Sequence, residues 1–203
     1  MRGGADRPLE VPPDRIDPRL LGENAYVKTA VGLQLLRDEI LGPAAFDDAL
    51  RTYTARWAFK HPAPADFYRT VEDASGRRLD WFWRGWFVEN PAYDQAIDTV
   101  ATQARGDTEV VAVAYGNRAR GVLPIRARFT FADGTTQAVD YPAEVWSTNT
   151  SRYVRQYAFA GKRLVRVELD PDRRLVDVDR TNNVWAAPRA APGAAATVGG
   201  GRE

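Results

Sequence analysis

Two pairs of neighbouring carboxylates, Asp47-Asp48 and Glu72-Asp73, could in principle do acid and base work, which needs two carboxyl groups facing one substrate. Adjacent residues on a helix diverge, so both pairs read as solvated faces. The single histidine, His61, sits between Lys60 and Pro62 and reads as a structural or surface residue. Ser75, Ser147 and Ser151 have no base partner within evident reach, which argues against a serine triad. Gly199, Gly200 and Gly201 lack the lysine and following helix of a phosphate-binding loop. The aromatic run Trp81, Phe82, Trp83, Trp86 and Phe87 has the alternation of a helix face, so it is assigned to a core rather than to a sugar or base platform. Arg118, Arg120, Arg126 and Arg128 read as a solvated strand face rather than a nucleic-acid patch.

These residues need elements to position them. Asn24 can cap a first helix whose apolar stripe is Val27, Val31, Leu33, Leu36 and Ile40, ended by Gly42-Pro43. Phe46, Leu50, Tyr53 and Trp57 recur at steps of four, three and four along a second helix. Pro64 and Asp66 open a third, with Phe67, Val71 and Ala74 as its buried face before Ser75-Gly76. A fourth carries Leu79 and the aromatic run, and Asn90-Pro91 ends it.

From Glu109 onward the pattern has period two. Val111, Val113 and Tyr115 alternate with smaller residues, and Leu123, Ile125, Ala127, Phe129 and Phe131 alternate with Arg126, Arg128 and Thr130. Asp133-Gly134 then signals a hairpin turn before Val139 and Tyr141. Tyr153, Arg155, Tyr157 and Phe159 form another run, followed by Val165, Val167 and Leu169, with Leu175-Val176-Asp177-Val178 expected as the last strand. The fold class that follows is α+β: a helical bundle, then a β-sandwich of immunoglobulin-like type. The expected spans are an extended lead-in over 1–23, helices over 24–100, the sandwich over 107–185 and a disordered tail over 186–203, with the change of period at 102–108 as the boundary.

Composition excludes several classes. A 44% hydrophobic chain of 203 residues can bury a core. Its 28 basic and 27 acidic residues leave a net charge of +1, so no field favours nucleic acid. No run is long and apolar enough to span a bilayer, and Met1 to Asp6 has no apolar segment resembling a secretion signal. The absence of cysteine removes thiolate chemistry and leaves the compartment open.

Several stretches in this order resemble the C-terminal portion of the aminopeptidase N family of zinc metallopeptidases, bacterial branch. They are Ala25-Tyr26-Val27-Lys28-Thr29-Ala30, matching a Tyr-x-Lys pattern at a helix start; Leu41-Gly42-Pro43 before Phe46-Asp47; Trp57-Ala58-Phe59-Lys60-His61-Pro62 with Asp66-Phe67; Trp81-Phe82-Trp83-Arg84-Gly85-Trp86-Phe87; and Val167-Glu168-Leu169-Asp170-Pro171 with Asp177-Val178-Asp179 and Asn182-Asn183. The resemblance runs from about Tyr26 to Val184. It implies that the helices are the end of a thermolysin-like catalytic domain. It also implies that Tyr26 is catalytic, donating a hydrogen bond to the oxyanion of the tetrahedral intermediate. A phenol suits that task, being a neutral donor that does not titrate near neutral pH. Lys28 is expected to be structural or solvated.

The zinc site implied by the resemblance needs H-E-x-x-H and a further Glu. One histidine and no cysteine cannot supply it, so no metal ligand is assigned here and zinc is expected only in the full-length enzyme. The Gly-x-Met-Glu-Asn element that holds a substrate's amino terminus is missing too, because the only methionine is Met1. The expected function is therefore that of a fragment of a peptide-hydrolysing aminopeptidase, inactive alone, with peptide as substrate once an upstream zinc-bearing part is present. In that case the helix start near Tyr26 should be exposed beside an apolar patch. The resemblance leans towards an exported bacterial enzyme. The rival expectation is a non-catalytic binding module built on the sandwich.

Overall fold

The computed structural model describes residues 7–188. Most of the tail expected to be disordered, from residue 189, lies outside the described residues. The fold is α+β, with four helices followed by seven strands in two antiparallel sheets among the described residues.

Helix α1 covers 22–41 and is π-helical at both ends, over Gly22–Lys28 and Leu36–Leu41, with an α-helical centre over Thr29–Leu35. Asn24 does not cap it but lies buried inside the first wide turn. Gly42 stops it with φ +83° and ψ 151°, a conformation open to glycine, and α2 (Pro43–Trp57) begins on the next residue. α3 (Pro64–Ser75) starts with half a capping box, the Asp66 carboxylate accepting from the Ala63 N–H at 2.8 Å. α4 covers 80–89, passing from α-helix (Asp80–Trp83) to π-helix (Arg84–Glu89), and ends on Asn90 in the left-handed region.

The four helices share one core. Leu36, Phe46, Ala49, Val71, Leu79, Phe82, Trp83, Trp86 and Phe87 are buried in it, so the aromatic run is core packing as its spacing indicates. Trp83 stacks on Tyr68 with centroids 4.5 Å apart. Three expected core positions face solvent instead: Val27 on α1, Leu50 on α2 and Ala74 on α3, and on the last two helices Ala49 and Thr70 take the inward places. The lead-in is not merely extended. The Leu9 and Glu10 N–H groups both donate to the Phe87 carbonyl at 2.9 Å, satisfying an acceptor at the C-terminal end of α4. Residues 9–12 thereby lie along the bundle, and Pro13–Arg15 adds one 3-10 turn.

The strands begin earlier than the change of period indicates. β1 (Gln95–Arg105) and β2 (Thr108–Asn117) form a hairpin whose two-residue tip, 106 and 107, lies within 102–108, so that segment is the end of a hairpin. β1 escapes a reading by alternation because its outer half is solvent-exposed on both faces. β3 (Ile125–Phe131) pairs with β4 (Thr136–Tyr141) across the Asp133-Gly134 turn, and its inward residues Ile125, Ala127, Phe129 and Phe131 alternate with partly exposed ones. β5 (Arg152–Ala160) joins β2, and β6 (Leu164–Leu169) joins β3. The orders are β1-β2-β5 and β4-β3-β6-β7, and the inner faces of both sheets contribute to one core around Val111, Tyr115, Phe129, Phe159 and Val167.

The last strand is β7 (Val184–Ala186), not 175–178. Leu175 and Val176 are apolar for a different reason, since both pack into the helical core. Asp170, at φ +42°, holds that turn by accepting from the N–H groups of Arg174 and Leu175 and from the Arg180 guanidinium.

The tightest approach in the bundle is at Gly32, where an added Cβ would stand 2.0 Å from Trp86 Nε1. Gly32→Ala should therefore lower stability by about 1–3 kcal/mol through overpacking, despite the better helix propensity of alanine. Urea unfolding measures it, and a stabilised variant would show that the indole does not rest on this helix.

Candidate functional site

Tyr26 and Lys28 stand two residues apart on the first turns of α1 and have opposite environments. Tyr26 is 74% exposed, and its hydroxyl meets no hydrogen-bond partner among the described residues. Lys28 is 5% exposed and points inward. Its ammonium donates to the Arg7 carbonyl at 2.7 Å and to Asn90 Oδ1, and its own carbonyl accepts from Trp86 Nε1 at 3.1 Å. Asn90 thus both ends α4 and anchors α1. Lysine here is structural, tying the helix start to the far end of the bundle, and that leaves the tyrosine facing outward on a fixed backbone. Asn24, one helical turn before Lys28 on the buried side, carries an amide nitrogen with no hydrogen-bond partner.

Leu21 and Val27 are exposed together with Tyr26, and so is Glu23. Beside the next turn runs a groove of about 490 Å³ lined by Thr29, Leu9, Pro12, Phe67 and Phe87. Its polar wall is Tyr68, whose hydroxyl donates to the Glu10 carboxylate. Burial, with that carboxylate beside it, pushes the Tyr68 phenol well above the ordinary tyrosine range. The α2–α3 loop carries Phe59, fully exposed and at φ +60°, a conformation that costs a bulky L-residue strain. His61 in the same loop is exposed.

The remaining candidates resolve into structural roles. Asp47 takes both oxygens to Arg37 at 2.8 and 3.0 Å, which holds its carboxyl below the usual range, and Asp48 pairs with Arg51. Glu72 accepts from the Leu79 N–H and Trp83 Nε1, while Asp73 meets Arg56. Each of the four arginines is engaged: Arg118 with Asp98, Arg120 with Glu89, Arg126 with Glu39 and Asp140, Arg128 with Asp172.

Glu39 was not legible as a special residue. It is 8% exposed, and its carboxylate receives Arg174 at 3.0 Å and Arg126 at 3.4 Å while its carbonyl receives Arg126 at 2.6 Å. This joins α1 to β3 and to the segment after β6. Between the sheets, the hydroxyls of Tyr115, Tyr157 and Tyr141 form a chain at 2.8 and 3.0 Å, and burial first, then the neighbouring phenols, raises Tyr157 far above its ordinary range.

No group of three or more His, Cys, Asp or Glu among the described residues could hold a metal ion. The donor set therefore does not fit a zinc centre within these residues. No helix among them is long and apolar enough to cross a membrane.

No protein-family model matches the chain, and no curated protein matches it. Among solved structures it is similar to Legionella pneumophila aminopeptidase A in complex with aspartic acid, at 16% identity and a TM-score of 0.49, over 74% of this chain. The chain spans only 17% of the length of that protein, and at this distance the likeness concerns the fold alone.

The contrast between the two α1 residues is measurable. Lys28→Met removes the donor to the Arg7 carbonyl and to Asn90 Oδ1 and should cost about 2–4 kcal/mol. Tyr26→Ala should change stability by less than about 0.5 kcal/mol, as at an uninvolved surface position. Chemical denaturation of both variants decides it; a large loss at Tyr26 would place that ring in the core.

Proposed function

We propose that this chain is the C-terminal portion of a zinc aminopeptidase of the aminopeptidase N type, bacterial branch, acting in removal of N-terminal residues from peptides. Its helices would complete the catalytic domain, and the two sheets would form the immunoglobulin-like sandwich that follows, a reading supported by their crossed strand order. Zinc, its ligands and the general base are assigned to a part of the enzyme outside this chain.

The observation that carries the reading is the solvent-facing, uncommitted phenol of Tyr26 on a helix start that Lys28 pins from behind. A tyrosine used only for packing would bury its ring. Here the hydroxyl is free to donate to an oxygen that gains negative charge as a peptide carbonyl becomes tetrahedral. A neutral carbonyl accepts more weakly than an oxyanion, so this bond strengthens towards the transition state and acts on turnover rather than on affinity. The exposed Leu21 and Val27 supply an apolar surface against which the remainder of a catalytic domain could close.

The test supplies the upstream portion by fusion or in trans and compares Tyr26→Phe with wild type. Turnover should fall on the order of a hundred- to a thousand-fold, about 2.7–4 kcal/mol, with the Michaelis constant and thermal midpoint nearly unchanged. Full turnover in the variant would remove Tyr26 from the chemistry. The chain by itself should bind no stoichiometric zinc and cleave no aminoacyl reporter; a tight zinc with chelator-sensitive hydrolysis would overturn the assignment of the ligands to another part.

A further inference from the structure

The two sheets expose four edge strands, β1, β5, β4 and β7, and an open edge is a template for pairing with another chain. Three are protected. β7 has 3 residues, β4 has 6 and carries Asp140, and β5 carries Arg152 and Arg155 along its exposed positions. β1 is different. It is 11 residues long, and beyond the bulge at Asp98 it runs through Thr99-Val100-Ala101-Thr102-Gln103-Ala104 with no charge, no proline and no glycine. Residues 101–105 are exposed. Their backbone groups bond only within the ladder to β2 among the described residues, so every second N–H and C=O points outward unpaired.

We infer that β1 is a self-association edge, pairing antiparallel with β1 of a second copy about a twofold axis to make one continuous six-stranded sheet. The occupant is a second copy because the ends of the strand complement each other. Arg105 touches only Gln103 and has no carboxylate partner among the described residues. Asp98 binds Arg118 through Oδ1 alone, leaving Oδ2 uncommitted. Antiparallel pairing centred on residue 101 or 102 brings each Arg105 to the Asp98 end of the other copy. The uncharged middle then lies opposite itself, with nothing to repel it. Such an interface is isologous, and its small area implies weak, concentration-dependent association.

Sedimentation equilibrium of the full chain tests this. Wild type should dimerise with a Kd on the order of 10–100 µM, the range of a small interface. Ala101→Lys with Gln103→Lys places lysines beside one another in either register and should weaken association by about tenfold or more, with the thermal midpoint unchanged. Arg105→Glu should weaken it less, and most at low salt, since that end pair is exposed. A wild-type chain that stays monomeric up to about 1 mM, or a dimer indifferent to the lysine pair, would overturn the proposal. Neither result bears on Tyr26, whose role is read from turnover.

Discussion

The contact between the Trp86 indole and the bare backbone of Gly32 fixes how α4 crosses α1, and the rest of the helical half is arranged around it. With the ring seated there, its N–H reaches the Lys28 carbonyl and Asn90 comes within reach of the Lys28 ammonium. A charged amine almost excluded from water is tolerated because carbonyl and amide oxygens replace its hydration. The same contacts settle the rotation of α1 about its axis. Tyr26 owes its outward direction to residues that never touch it.

A second fixed point joins the helical half to the sheets. Glu39 sits between Arg126 on β3 and Arg174 after β6. Only the carboxylate of this cluster is buried, Arg174 being largely exposed and Arg126 partly so, and the cluster adds little net stability over an apolar replacement. Its contribution is geometric: guanidinium forks accept few orientations, so α1 and β3 meet in one register. Asp170 acts similarly on the turn beside it, gathering backbone N–H groups and Arg180, and thereby directs Leu175 away from the sheets and into the helical core.

Where a segment has one wet and one dry face, its sequence discloses it. β3 alternates residue by residue, and Asp133-Gly134 marks its turn, so that hairpin is readable without coordinates. β1 is not, because a strand whose outer half is wet on both sides has no alternation to show. The 175–178 stretch misleads for the converse reason: its apolar residues serve another core, reached by an irregular path. At the candidate site, the motif around Tyr26 was legible only through resemblance, since no spacing rule distinguishes an exposed tyrosine from a packed one. The burial of Lys28 and Glu39 was hidden because their partners lie 62 and up to 135 residues away.

That separation has a consequence during synthesis. A ribosome delivers α1 long before Arg126 and Arg174, so Glu39 emerges with neither of its guanidinium partners. Until they arrive, sealing that carboxylate under the bundle would leave a lone charge in a dry site, and the C-terminal turn of α1 stays hydrated instead. Leu175 and Val176, which complete the helical core, come from the same late stretch. The four helices therefore complete their packing only after the strands that follow them have been made, since it waits on Leu175 and Val176.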